Sequence, residues 1–255
     1  MRVLAVVLVA VSIGCGADPA SQQPGASAAA QTAQAQLQAD RDSSNPNPML
    51  YPVDARPFGR EIERWAELLW AYIYKQPFDD NPFFDPTGAL CGNDQGGPVW
   101  FLPSIPGAAL GNVVTRSCTI PQGKAIMLQL MTALNDYPCP DPTFQPAPGQ
   151  SLYDFLIQPL KQAFDNPAPF VITVDGVAIV NPLSYRFTSD DLFYFKGDPS
   201  MAQFDSCVTG KRQPGVVDGF YFMFKPMPPG QHTIVAVGQD MAGDHLTFTE
   251  NLTIQ

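Results

Sequence analysis

The stretch DGFYFMFKPMPPGQHTI, Asp218–Ile234, carries the clearest fold information in the chain. Its first half contains an apolar and aromatic run, Phe220–Lys225, and runs of this length and composition predict a β-strand. The PMPPG segment that follows ends the strand, because proline has no backbone N–H to donate to a sheet. A second strand, His232–Gly238, is predicted directly after it. The stretch therefore predicts two consecutive strands joined by a proline-rich turn.

Similar short segments, bounded by turn residues, recur along the chain. The strongest turn is Asp175-Gly176, a dipeptide typical of tight hairpins. The 27 prolines and the low charged fraction of 15% agree with many turns. The other predicted strands are Val99–Leu102, Val113–Ile120, Ala125–Met131, Phe170–Val174, Val177–Val180, Leu192–Lys196 and His245–Ile254. This pattern predicts a mainly β fold, either an antiparallel β-sandwich or a jelly roll.

Two helices are predicted to decorate these strands. The first spans Phe58–Tyr74 and is stopped by Pro77. The second begins at Ser151, a good N-cap residue, with Asp154 near the positive end of the helix dipole. The apolar face of the first helix consists of residues at helical spacing: Ile62, Trp65, Ala66, Leu69 and Ile73.

The N-terminus, MRVLAVVLVAVSIGC, has the composition of an export signal. Its apolar run, Val3–Val11, is too short to span a bilayer, which requires about 20 residues. The end of this segment resembles the bacterial lipoprotein signal, which implies that Cys15 receives a diacylglycerol group and anchors the protein to a membrane. Ser12 departs from that pattern, since the family usually has a larger aliphatic residue there. The alternative is cleavage after Ala17, which would discard Cys15 and leave a secreted protein.

Three regions follow from this reading of the sequence. Residues 1–15 are the signal segment, and residues 16–48 are rich in Ala, Gln, Ser, Pro and Asn, a composition that predicts a disordered tether. Residues 49–255 show no second break in composition and are predicted to form a single domain. We expect the mature protein to be extracytoplasmic, in a bacterial cell envelope.

The cysteine count supports an oxidising compartment. The chain has five cysteines, so four remain when Cys15 is set aside. Four cysteines can form two disulfides in three different pairings. We favour pairing Cys91 with Cys118 and Cys139 with Cys207, because each bridge then closes one defined region. A metal site is not expected, since the sequence has no C-x-x-C or H-E-x-x-H motif. The net charge of −10 and the pI near 4.4 exclude nucleic acid as an expected partner.

Aromatic residues give the best argument for a binding site. Trp70 and Tyr74 are four residues apart on the first helix and, if exposed, would form a flat platform for a sugar ring or a partner. The alternative is that both faces of this helix are buried. Trp100, with Asp94 and Gln95 in the glycine-rich loop before it, completes the predicted binding residues. That loop can also be read as a tight entry to the Trp100 strand.

Acidic residues supply a second set of candidates. Paired carboxylates would suit acid–base catalysis, and the pairs are Asp79 with Asp80, Asp190 with Asp191, and Glu61 with Glu63. The helical pair is two residues apart and does not share a face. No cofactor is expected, although a bound calcium is kept as an alternative. Its candidate oxygen ligands come from Asp79, Asp80, Asn81 and Asp85, or from Asn93 and Asp94.

Three sequence blocks, CGNDQGGPVWFL (Cys91–Leu102), VTRSCTIPQGKAIML (Val114–Leu128) and Asp218–Ile234, together resemble a group of uncharacterised β-rich bacterial exported proteins. The resemblance implies a fold and transfers no activity. The leading hypothesis is a cell-envelope lipoprotein whose β-sandwich binds a carbohydrate, peptide or protein partner. The alternatives are a metal-independent hydrolase or isomerase that uses Asp, Glu or His, and a structural subunit of a surface assembly.

Overall fold

The computed structural model describes residues 45–105, 113–239 and 245–255. The predicted signal segment, Cys15 and most of the predicted tether lie outside the described residues. Residues 45–48, which were assigned to the tether, pack on the domain. The buried Asn47 donates to the Val180 carbonyl at 2.9 Å and accepts from the Val180 N–H at 2.7 Å. No helix in the described part of the chain is long and apolar enough to cross a membrane.

The described residues form two α-helices, ten strands and several short 3₁₀ turns. The helices are α1 (Ile62–Lys75) and α2 (Leu152–Phe164). The first five strands are β1 (Val99–Leu102), β2 (Val113–Ile120), β3 (Ala125–Asp136), β4 (Val171–Val174) and β5 (Val177–Ala178). The remaining strands are β6 (Arg186–Thr188), β7 (Phe193–Lys196), β8 (Arg212–Phe224), β9 (Gly230–Gln239) and β10 (His245–Ile254).

The strands form two sheets, so the mainly β prediction with two helices is confirmed. One sheet has the order β1-β3-β8-β6, with β7 also paired to β8, and the other has the order β2-β10-β9-β4-β5. The sheets are mixed and not purely antiparallel, because β1 pairs with β3 and β2 pairs with β10 in parallel. Between β1 and β3 the chain crosses to the other sheet to form β2, so β1 and β3 run in the same direction.

Strand β8 is buried on both faces, and this explains its apolar run. Phe220 and Phe222 point into the core between the two sheets, where they meet residues such as Leu252. Tyr221 and Met223 point the other way, into the layer covered by α1. A strand covered on both faces has no solvent side on which to place polar residues.

Strands β3 and β8 are both longer than predicted, and the cause is a bulge. The register shifts between Leu130 and Thr132, which leaves Met131 as an extra residue with a left-handed φ of 47°. Gly219 lies opposite the bulge with a φ of 137°. The bulge interrupts the alternation in β3, while Pro214, Gly215 and Gly219 obscure the strand pattern of β8. Strand β6, with three residues, was not predicted.

The local signals for turns and caps correspond to observed elements. Asp175 and Gly176 both have positive φ angles, 51° and 80°, and form the turn between β4 and β5. The Ser151 hydroxyl accepts from the Asp154 N–H at 3.0 Å and caps α2. Helix α1 begins four residues later than predicted, because Phe58 adopts a left-handed conformation with φ of 55°.

Both disulfides join the pairs favoured from the sequence, Cys91 with Cys118 and Cys139 with Cys207. The first connects the segment after α1 to β2. The second connects the segment after β3 to the loop before β8. Two disulfides indicate an oxidising, extracytoplasmic environment.

Gly219→Ala is expected to destabilise the protein by about 2 kcal/mol, since overpacking and a strained φ each carry costs of that order. A Cβ at this position would lie 2.5 Å from the Met131 carbonyl oxygen and 2.5 Å from the Thr132 Cα. Urea denaturation measures the change. Gly96→Ala is the control, because a Cβ there meets nothing within 4 Å. Equal stability of the two variants would contradict the structural role of the bulge.

Candidate functional site

The predicted aromatic platform does not exist as an exposed surface. Trp70 is 4% exposed and Tyr74 is 2% exposed. The Trp70 indole N–H donates to the Tyr221 hydroxyl at 2.8 Å, and the Tyr74 hydroxyl donates to Asp205 at 2.8 Å. Trp100 lies in the core between the sheets. Trp70 and Tyr74 are buried because α1 covers the outer face of β8, so the alternative of a helix buried on both sides is the correct one.

The two polar binding candidates hold the loop in front of β1. Gln95 donates to the Phe101 carbonyl at 2.6 Å and accepts from the Phe101 N–H at 3.0 Å, so its side chain pairs with β1 as a neighbouring strand would. Asp94 accepts from Lys75 at 2.5 Å and from Gln76 at 3.3 Å, both at the end of α1. These hydrogen bonds hold the loop in its observed shape. They do not bring Asp94 and Gln95 together with Trp70, Tyr74 and Trp100 in one site.

Two of the calcium candidates already use their oxygen atoms within the protein. Asp85 accepts from the N–H groups of Thr87 and Leu90, each at 2.8 Å. The Asn81 side-chain oxygen accepts from the Phe83 N–H at 3.0 Å. These bonds shape the loop after α1. A bound calcium stays a prediction.

A polar cleft lies beside the N-terminal half of α1. Its volume is about 480 Å³, and its walls come from the turn before α1, from α1 itself and from residues 190–193. Five carboxylates and three arginines line it: Glu61, Glu63, Glu67, Asp190, Asp191, Arg56, Arg60 and Arg64. Acidic side chains from distant parts of the sequence thus meet in one concave surface.

Glu63 and Glu67 form the floor of this cleft. They are four residues apart on α1 and therefore share a face of the helix. The Asp190 N–H donates to Glu63 at 3.0 Å, and the Ser189 hydroxyl is 3.1 Å from a Glu67 oxygen. The same hydroxyl accepts from the Val217 N–H of β8 at 3.0 Å. These bonds fix the segment after β6 against α1.

The two glutamates differ in their charged partners. Glu67 is 6% exposed and forms an ion pair with Arg64. Glu63 is half-buried, and no Lys or Arg of the described residues forms an ion pair with it. Burial raises the pKa of Glu63 to about 7, and the negative charges of Asp190 and Glu67 act in the same direction. Burial also raises the pKa of Glu67, against the opposing effect of Arg64. The pKa of Glu63 therefore lies near neutral pH.

Two of the acidic pairs considered from the sequence, Glu61 with Glu63 and Asp190 with Asp191, line this one cleft together. The structure brings Glu63 and Asp190 together across 127 positions of sequence. The spacing of Glu63 and Glu67 was a signal available in the sequence, because residues at i and i+4 are neighbours on a helix.

No protein-family profile and no curated protein sequence matches the chain. Solved structures with weak similarity include PbICP-C in complex with falcipain-2 (14% identity, 62% of this chain and 100% of that chain, TM-score 0.23). The solution structure of amebosin has 12% identity over 56% of this chain and 96% of its own, with a TM-score of 0.19. BspA_C_WT has 12% identity, covers 53% of this chain and 44% of its own, and has a TM-score of 0.19. TM-scores of this size do not establish a shared fold.

Glu63→Gln is expected to weaken the pH dependence of stability between about pH 4.5 and 8. On folding, the pKa of Glu63 rises from its ordinary 4.5 to about 7, so the folded state binds the proton more tightly than the unfolded state does. The resulting contribution to the free energy of unfolding is fully present below pH 4.5 and is lost as the pH rises through 7. The wild-type melting temperature should therefore fall more steeply over this range than that of the variant. Asp79→Asn, an exposed carboxyl outside the cleft, is the control and should follow the wild type. Parallel curves for Glu63→Gln and wild type would contradict the assignment.

Proposed function

We propose that the mature protein is an exported binding domain, anchored by a lipid on Cys15, and that its ligand site is the cleft between α1 and residues 190–193. The observation that carries the proposal is Glu63. This carboxyl is partly withdrawn from water and has no cation partner among the described residues, so its desolvation is not offset by an ion pair. A ligand that donates a hydrogen bond to Glu63 would offset it.

The cleft suits a carbohydrate better than an apolar ligand. Its volume of about 480 Å³ falls within the range of small-molecule sites. Its lining combines carboxylates, which accept hydrogen bonds, with arginines, which donate them. Sugar hydroxyls do both and therefore match this mixture. Leu192 and Phe193 also line the cleft and supply apolar surface beside the charged groups.

An array of neutral and amino-bearing oligosaccharides tests this proposal with the mature protein. We expect the wild type to bind a subset of them and Glu63→Gln to bind at least about tenfold more weakly, because a hydrogen bond to a charged group contributes roughly 1.5–3 kcal/mol. Asp79→Asn, on the surface at the other end of α1, should bind as the wild type does. If Glu63→Gln binds as tightly as the wild type, the cleft is not the ligand site. If the wild type binds none of the oligosaccharides, the ligand is not a carbohydrate.

A second candidate function, acid–base catalysis, is favoured by the pKa of Glu63. A general acid or base works best when its pKa is near the working pH, and burial brings the pKa of Glu63 to about 7. In that case an oligosaccharide bound by the wild type would be cleaved or isomerised over time. Chromatography of each bound sugar after incubation separates the two functions, since a binding domain returns the sugar unchanged.

Mass spectrometry of the mature N-terminus tests the anchor. We expect the first residue to be Cys15, carrying a diacylglycerol group and retained in the membrane fraction. Two or more acyl chains give stable attachment, at roughly 0.8 kcal/mol for each buried methylene group. Cys15→Ser should release the protein from membranes, whereas Ser12→Leu, which restores the usual lipoprotein pattern, should not. An unmodified chain beginning at Asp18 would refute lipid anchoring.

A further inference from the structure

The two disulfides lie in different surroundings. Cys91 is 6% exposed and Cys118 is 3% exposed, within the core between the sheets. Cys139 and Cys207 are only half-buried, so their bridge lies closer to solvent than the first one does. A disulfide that a thiol can approach is open to exchange, whereas a fully buried one is not.

An acidic side chain lies beside the accessible bridge. Asp136, the last residue of β3, is 3% exposed, and one of its carboxylate oxygens lies within 4.8 Å of the sulfurs of both Cys139 and Cys207. The Gln213 amide donates to Asp136 at 2.5 Å and to the Cys207 carbonyl at 3.0 Å. Gln213 thus fixes the carboxyl and the cysteine backbone relative to each other.

We propose that Cys139–Cys207 is a thiol-exchange site, in which Asp136 donates a proton to the departing cysteine sulfur. The substrate class is an external thiol or dithiol, either a small molecule or the dithiol of another exported protein. The proposal is independent of the cleft, which lies at the opposite end of β7 from the loop that carries Cys207.

One external dithiol supplies both electrons that reduce the Cys139–Cys207 bridge. Its thiolate attacks one cysteine sulfur, a mixed disulfide forms, and the Cys139–Cys207 bond breaks with its electron pair on the other sulfur. That sulfur takes the proton of Asp136, which is left as a carboxylate and regains a proton from water. The second thiolate of the dithiol then attacks the mixed disulfide, and the cysteine thiolate that this releases takes a proton from water. The products are the oxidised dithiol and two cysteine thiols, a transfer of two electrons.

The surroundings of Asp136 favour the protonated form that this step requires. Burial raises the pKa of Asp136 to about 7, and the negative charge of Asp205 raises it further, against the hydrogen bond from Gln213. Tyr74, which donates to Asp205, stays neutral because burial raises its pKa well above the usual range. No Lys or Arg of the described residues forms an ion pair with Asp136. The carboxyl therefore carries a proton below about pH 7.

Timed reduction with dithiothreitol tests the proposal in the mature protein. Aliquots are alkylated and the modified cysteines are identified by peptide mapping. In the wild type we expect Cys139 and Cys207 to be modified at least about tenfold faster than Cys91 and Cys118, which act as an internal reference. Similar rates for both bridges would overturn the proposal, and this measurement requires no variant to fold.

Asp136→Asn tests the proton donor. At pH 6, and at equal thiolate concentration, the variant should exchange at least about tenfold more slowly, since a positioned general acid typically contributes a factor of 10² or more. The wild-type rate, corrected for thiolate, should fall as the pH passes 7, whereas the variant rate should stay level. Asp141→Asn, an exposed carboxyl near Cys139, should behave as the wild type. An unchanged rate in Asp136→Asn would show that Asp136 takes no part.

Discussion

The burial of β8 on both faces is the constraint on which the rest of the fold depends. Its side chains alternate between the core shared with the second sheet and the layer covered by α1. The second sheet and α1 are both required, because each face of β8 carries large aromatic and aliphatic side chains whose burial contributes roughly 1.5–3 kcal/mol apiece. The strand also pairs with β3, β6 and β7, which satisfies its backbone along most of its length.

The burial of β8 on both faces also determines where the candidate site lies. Covering β8 uses the aromatic residues of α1, including Trp70 and Tyr74, and leaves Glu63 and Glu67 to line the cleft with residues 190–193. The site is tied to the central strand through hydrogen bonds, from the Val217 N–H to Ser189 and from Ser189 to Glu67. The cleft is therefore built on a rigid element, which is what a site with fixed geometry requires.

Local signals in the sequence predicted local structure. The Asp175-Gly176 turn, the Ser151 cap and the apolar stripe of α1 each depend on neighbouring residues, and each corresponds to an observed element. The parallel pairs β1–β3 and β2–β10 depend on which distant strands meet, and alternation within one strand does not specify its partner. The unbroken apolar run in β8 was a signal for burial on both faces, and from it the burial of the α1 aromatics follows.

The site was harder to predict than the fold, because it depends on the partners of each acid rather than on its presence. Asp218 is fully buried, yet Arg186 holds both of its oxygens, at 2.8 Å and 2.7 Å, so that pair is structural. Glu63 and Asp136 are withdrawn from water without such a cation among the described residues, and burial raises the pKa of each to about 7. A carboxyl left in that condition opposes stability at neutral pH, since its ionised form is poorly solvated. Each carboxyl accepts one hydrogen bond that holds a loop, Glu63 from the Asp190 N–H and Asp136 from Gln213, and neither bond is an ion pair. A ligand or a proton-transfer step would use a carboxyl in that condition, and this argument singles out Glu63 and Asp136 among the acidic residues that the structure describes.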